Sequence, residues 1–336
     1  VPTTYRVAAV QAEPVWLDAD ATVEKTIALI EEAAARDVAL VAFPETWIPG
    51  YPLFLWLGPV AGQMPFIARY HANSPTVDGR HITAVRQAAR RTGVTVALGY
   101  SEKDHGSLYM AQTLIAPDGG VLLHRRKLKA THVERSLFGE SDGSHLKVVD
   151  TPLGRVGALN CWEHVQPLNR YAMYAQHEQV HIAAWPAFGL YKGIAYALGA
   201  EVNMAVTQTY ALEGGCYVIA PTQVISERGV EIFATTDEQR ALLSTGAGSS
   251  RVYGPDGRPL GEPLAEDAEG LLIVDIDLSL IDLAKNAADP AGHYARADAT
   301  RLLHDDRPTA AVVRPGQVVG PYFPDLDEPV VEAQTD

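Results

Sequence analysis

An α/β protein with two packed β-sheets and helices on the outside is the fold this sequence predicts. Three observations carry that expectation. Near the N-terminus, short apolar runs alternate with amphipathic stretches, the pattern of β-α-β units with neighbouring parallel strands. The middle of the chain switches to hairpin signals. In all there are about a dozen strand candidates, more than one open sheet comfortably holds.

The elements follow in order. Tyr5 to Gln11 reads as a buried strand. Val23, Ile27, Ile30 and Ala34 then recur at helical spacing, with Asp20 placed to cap the start. Val38 to Phe43 is a strand broken by Pro44. Ile82, Val85 and Ala89 mark a helix that stops at Gly93 and leads into the strand Val94 to Tyr100. Leu108 to Ala116 and Val121 to Lys127 flank a Pro-Asp-Gly-Gly turn, and Leu146 to Asp150 and Arg155 to Asn160 form a second hairpin. A helix is expected to start near Gln166. Later strands are expected at Val180 to Trp185, Cys216 to Ala220, Ser250 to Gly254 and Leu271 to Ile276, with a helix over Met204 to Leu212. No linker or internal repeat divides the chain. One domain over residues 1–306 is expected, with 307–336 as an extended tail.

Composition excludes several classes of function. The 336 residues are 47% hydrophobic and 20% charged, so a core can form and wholesale disorder is excluded. The 27 basic and 41 acidic residues give a net charge of −14, which argues against a phosphate-backbone footprint or a basic membrane surface. No run approaches the roughly 18 apolar residues of a membrane span, and Val1 to Glu13 shows no signal-peptide pattern. Two cysteines, Cys161 and Cys216, make no disulfide framework and fit a reducing compartment. A cytoplasmic location is the expectation.

Three short motifs mislead. His177 and His181 fit the H-E-x-x-H zinc pattern, which needs both histidines on one helix face. Here the helix is expected to end between them, so no metal site is assigned. Gly139 to Gly143 fits a G-x-S-x-G elbow, yet it lacks the apolar strand before it and the helix after it. The basic run Arg125-Arg126-Lys127-Leu128-Lys129 ends a strand in an acidic protein, and suits neutralising carboxylates in a pocket better than binding nucleic acid.

A stronger constellation joins three strand ends. Cys161 stands between a strand and a helix start, where backbone N–H groups favour a thiolate and a developing anion. An isolated cysteine is more commonly a buried structural one. That reading is taken for Cys216, inside an apolar run, and not for Cys161, which is followed by Trp162, Glu163 and His164. Glu45 ends another strand beside a stiff aromatic and proline loop, where partial desolvation raises a carboxyl pKa toward working pH; taken alone it also reads as a surface glutamate. Lys127 ends a third strand and could hold an oxyanion or be a solvated charge. Tyr51, Trp162, Trp185, Pro186 and Phe188 are candidates for a substrate wall, with core packing the alternative for each.

Phe43 to Pro52 (FPETWIPGYP), Arg126 to Arg135 (RKLKATHVER) and Asn160 to His164 (NCWEH) resemble the nitrilase branch of the carbon–nitrogen hydrolase superfamily. Glu178 to Pro186 and Asp289 to Tyr294 agree, and the resemblance runs from Tyr5 to about Asp298. Two features depart from it: Ala130, where such nitrilases often carry proline, and the short tail. The resemblance implies an αββα sandwich, a Glu-Lys-Cys triad at Glu45, Lys127 and Cys161, and a second glutamate at Glu134. It also implies no cofactor, a small-molecule nitrile substrate, and a homodimer that can extend into helical filaments. The expected reaction converts a nitrile and two waters to a carboxylic acid and ammonia through a cysteine thioimidate and thioester. Rival expectations are an amide hydrolase, a cyanide-hydrolysing enzyme and a catalytically silent assembly module.

Overall fold

The computed structural model describes residues 2–309 and 312. In chain order the elements begin with β1 (Thr4–Ala12), α1 (Ala19–Ala35), β2 (Val38–Ala42), α2 (Met64–Ala72), α3 (Arg80–Thr92) and β3 (Thr95–Asp104). There follow β4 (Ser107–Ile115), β5 (Val121–Arg126), β6 (Val148–Thr151), β7 (Gly154–Asn160), α4 (Pro167–Tyr174) and β8 (Val180–Ala184). Next come α5 (Ala200–Gly214), β9 (Tyr217–Ala220), β10 (Thr222–Gln223), α6 (Glu227–Phe233) and α7 (Asp237–Arg240). The last are β11 (Arg251–Tyr253), β12 (Pro259–Leu260), β13 (Gly270–Asp277) and α8 (Ser279–Ala287).

One sheet runs β10-β1-β2-β3-β4-β5, with β13 antiparallel to β1; the other runs β12-β11-β9-β8-β7-β6. β1, β2 and β3 pair in parallel through the helical crossovers, as do β7, β8 and β9. The two hairpins, β4–β5 and β6–β7, are antiparallel. Alternation along β1 explains the layering. Ala8 and Val10 pack with Val23, Ile30, Ile82 and Val85 of α1 and α3, whereas Val7 and Ala9 pack with Val156, Val180, Ile182 and Ile219 of the other sheet. The far face of that second sheet packs Leu159, Ala183 and Val218 against Met173 of α4 and Tyr210 of α5. The result is an αββα sandwich whose sheets, covered on both faces, read as near-continuous apolar runs.

Several expectations need correction. The cap of α1 is Asp18, whose carboxylate accepts from Ala21 N at 3.0 Å. Asp20 lies inside the first turn and pairs instead with Arg80 and His81. Cys216 precedes β9, following the left-handed Gly215, but is fully buried. α4 ends at Tyr174, before both histidines of the H-E-x-x-H pattern; His177 is exposed and His181 lies buried in β8. α2, α6, α7 and α8 have weak sequence signals and are additions to the expected set. The expected tail, apart from residues 307–309 and 312, lies outside the described residues. Among the described residues no helix is long and apolar enough to cross a membrane.

Candidate active site

Parallel strands in a sandwich direct their C-terminal ends the same way, and the turns beyond them form a crevice. Glu45 lies just past β2, Lys127 just past β5, Cys161 just past β7 and Trp185 just past β8. Two bonds fix these turns: Glu45 N donates across the sheets to Trp185 O, and Gln223 Nε2 of β10, in the same sheet as β2, donates to Glu45 O at 2.7 Å. Gly99 in β3 makes room for the Glu45 turn. A Cβ there would stand 2.1 Å from Pro44 O, so only glycine lets the two backbones approach.

Lys127 is the hub. Its Nζ donates to Glu45 Oε1 and to Glu134 Oε2, both at 2.9 Å, with all three side chains essentially solvent-free. The two carboxylates differ in what else they hold. Glu134 Oε2 also accepts from Thr131 N, and its Oε1 accepts from the Tyr51 hydroxyl at 2.7 Å. Glu45 Oε2 is buried with no hydrogen-bond partner among the described residues.

Burial acts first against the charge of Lys127, but Glu134 and Glu45 outweigh it and hold its pKa well above the ordinary lysine value. Burial pushes Glu45 up to about 8, with Lys127 opposing the rise and Glu134 adding to it. Burial likewise raises the Cys161 thiol well above its ordinary value, reinforced by Glu45; Lys127 and the Trp162 N–H pull the other way without winning. The expected thiolate preference is therefore corrected. At rest the group is a thiol, and its proton must leave as it reacts.

Cys161 opens a single 3₁₀ turn, Cys161–Val165, and takes a left-handed φ of +47° that side chains rarely adopt. Glu163 ties this turn to Lys127. Its Oε2 accepts from Asn160 N, and its Oε1 from Leu128 N and from the buried Arg125 guanidinium. Arg125 also donates to Gln112 Oε1 at 2.6 Å. The remaining cations of the basic run are matched too: Arg126 to Glu102 and Asp104, and Lys129 to Glu140. The run neutralises carboxylates of its own chain.

A cavity of about 400 Å³ opens onto Cys161 and Glu134. All five proposed wall residues, Tyr51, Trp162, Trp185, Pro186 and Phe188, line it. So do Trp56, Thr131, Leu198 and Asn203, which sequence reading missed. Trp56 donates to the Tyr51 hydroxyl, and Asn203 accepts from Trp162 Nε1 at 2.9 Å. The second pairing has no local sequence signal, since Asn203 sits 41 residues beyond Trp162. Gly99 and Glu163 were findable, as a glycine inside a strand and as a glutamate three residues after a cap position. Between the sheets, Ala97, Leu114, Leu123, Val156 and Ile182 line a narrow apolar space. It is a gap in apolar packing.

Residues 6–286 match the carbon–nitrogen hydrolase family model. A nitrilase of Pseudomonas syringae pv. syringae is 53% identical over 308 residues, 92% of each chain. An aliphatic nitrilase of Rhodococcus rhodochrous is 52% identical over 310 residues, 92% of this chain and 85% of the relative. Among solved structures, a carbon–nitrogen hydrolase from Helicobacter pylori superposes with a TM-score of 0.68 at 18% identity, covering 88% of this chain and 96% of the other. The chain belongs to the carbon–nitrogen hydrolase family, in its nitrilase branch.

Proposed function

We propose that this protein hydrolyses nitriles to carboxylic acids and ammonia, with Cys161 as nucleophile, Glu45 as general base and acid, and Lys127 and Glu134 completing the site. One observation carries the assignment of roles. Of two carboxylates on one ammonium, Glu134 has both oxygens occupied, whereas Glu45 keeps Oε2 unpartnered and has a pKa near 8. Glu45 Oε2 accepts from no described group and so takes a proton without displacing a donor, and its pKa suits the exchange near neutrality.

Glu45 removes the Cys161 proton as Sγ attacks the nitrile carbon. The nitrile nitrogen takes a proton, giving a thioimidate. A first water, deprotonated by Glu45, adds to that carbon, and Lys127 with the Trp162 N–H stabilises the tetrahedral centre. The nitrogen leaves as ammonia carrying the returned proton. A second water then cleaves the thioester, releasing the carboxylic acid and restoring the thiol. Tyr51, Trp162, Trp185, Pro186 and Phe188 supply a largely apolar wall for the substituent.

Ammonia release from a nitrile, measured beside its matching amide, tests the reading and separates it from amide hydrolysis; cyanide as sole substrate tests the third activity. Cys161→Ala should abolish nitrile turnover and covalent adducts, while Cys216→Ala retains both. A folded Cys161→Ala protein that still turns over nitrile would overturn the mechanism.

The proposal extends to assembly and location. Val165, Leu168 and Leu212 are exposed on and beside α4 and α5 and support a homodimer across that helical face, extending to helical oligomers. Light scattering that finds only a 36.2 kDa monomer, fully active at every dilution, would reject the assembly. The two free thiols support a cytoplasmic location.

A further inference from the structure

The H-E-x-x-H pattern, whose two histidines do not share a helix face, has another use. Behind Cys161 a chain of buried polar groups leads away from the cavity. The Cys161 carbonyl lies 2.7 Å from His164 Nδ1, His164 Nε2 lies 2.9 Å from His181 Nε2, and His181 Nδ1 lies 2.8 Å from Glu178 Oε1. Glu178 Oε2 accepts from the Tyr210 hydroxyl at 2.6 Å. All of these side chains are at most 1% exposed.

Proton counting fixes the direction of the chain. A carbonyl only accepts, so His164 Nδ1 carries a hydrogen. Neutral His164 then presents a lone pair at Nε2, which requires the hydrogen of His181 on its own Nε2. Burial keeps His181 neutral, so its Nδ1 is left as an acceptor and the third hydrogen comes from the Glu178 carboxyl. Three links need three protons, and two neutral imidazoles supply two. Removing the third sets lone pair against lone pair at one of the three links, and a tautomer shift can move that fault up to Cys161 itself.

We propose that Glu178, acting through His181 and His164, is a positioning residue that holds the left-handed Cys161 turn, and that it does so only while it carries a proton. The proposal rests on the functional reading above only in taking Cys161 as the nucleophile. Several further observations fit. A Cβ on Gly157 would fall 2.1 Å from Glu178 Oε1, so β7 is shaped around this carboxyl. His164 also stacks on Trp185 of the cavity wall at 5.3 Å, so its orientation bears on the wall as well as on the nucleophile. Burial raises the Glu178 pKa to about 8 and drives both imidazoles well below their ordinary value, which keeps them neutral.

The groups facing the chain come from several elements. Glu178 faces the Tyr210 hydroxyl on α5, Lys285 on α8, Cys216 before β9 and the Gly157 backbone on β7. His181 and His164 face Arg125 and Glu163, and His164 also the Cys161 backbone. Among the described residues no other side chain donates to His181 Nδ1.

Glu178→Gln tests the idea, because its amide N–H can replace the carboxyl proton toward His181 and cannot ionise. Glu178→Met has similar length and no donor. Two readouts are taken from pH 6 to 10: nitrile turnover, and the rate at which iodoacetamide alkylates Cys161, located by mass spectrometry. The natural enzyme should decline on the alkaline side as Glu178 ionises; Glu178→Gln should keep most of the turnover near pH 7 and show no such decline, with the acid limb expected from Glu45 unchanged. Glu178→Met should lose on the order of 10²-fold in kcat with little change in KM, the cost of a nucleophile displaced by about 1 Å. Equal activity in the two variants, or an unchanged alkaline limb in Glu178→Gln, would overturn the proposal. If Glu178→Met does not fold, the Glu178→Gln profile decides alone. The alkylation rate needs no nitrile, so a protein that turns over no nitrile, yet whose Cys161 alkylation profile above pH 8 differs between the natural protein and Glu178→Gln, refutes the substrate and leaves the relay standing.

Discussion

Lys127 is held by distance on both sides, with Nζ 2.9 Å from each of two buried carboxylates and no solvent into which a longer head could move. An ammonium is a compact point charge; a guanidinium is planar, larger and less readily accommodated in that volume. Charge alone would survive Lys127→Arg, whereas shape would not. Turnover in a folded Lys127→Arg variant should fall by on the order of 10²-fold or more. Lys129→Arg should be mild, because Lys129 pairs with Glu140 on an exposed face. Equal losses at the two positions, with folding checked by circular dichroism, would remove Lys127 from the site. At this scale the chain was legible where chemistry confines the choice of residue: Cys161 rather than Cys216, and a carboxylate and a lysine at strand ends. The ionisation of Cys161 was not legible. It depends on how deeply the thiol is buried and on Glu45, which lies 116 residues earlier in the chain.

At the scale of elements, the regular parts could be read because their signals are local. The β-α-β units around α1 and α3 and the hairpins β4–β5 and β6–β7 carry periodicity and turn chemistry in short windows. The irregular parts that shape the site could not. The 3₁₀ turns at Cys161–Val165 and His132–Ser136 have no periodicity, and their geometry is set by carboxylates that bridge elements. Glu163 is legible as the partner of a cap at Asn160, but its second bond, from Leu128 N 35 residues earlier in the chain, is not. Gly99 gives this scale its prediction. It lies within β3, where glycine costs stability unless a backbone must approach closely. Gly99→Ala would press a Cβ against Pro44 O and the Glu45 backbone, so the Glu45 turn must shift. The expected outcome is a folded protein with turnover reduced on the order of 10²-fold and KM changed far less. Retained activity in Gly99→Ala would show that the turn tolerates displacement.

The whole molecule couples this site to its stability through protons. Glu45 and Glu178 have folded pKa values near 8 against an ordinary 4.5, so between those limits the folded protein holds two protons that the unfolded chain releases. A carboxyl raised in this way makes stability fall as pH rises, by about 1 kcal/mol per pH unit for each proton. His164 and His181 act in the opposite sense. They are neutral when folded and take up protons when unfolded below their ordinary 6.5, so up to that point they make stability rise with pH. The two pairs oppose one another below pH 6.5, and only the carboxyls remain above it. Glu102 and Glu163 have lowered values and are already fully ionised in both states there, so they add no slope. Thermal unfolding should therefore show the melting temperature falling between about pH 6.5 and 8. Glu178→Gln removes one of the two protons and should roughly halve that fall, and Glu45→Gln combined with it should leave the interval nearly flat. A fall of the same size in all three proteins would mean that neither carboxyl is protonated in the folded state.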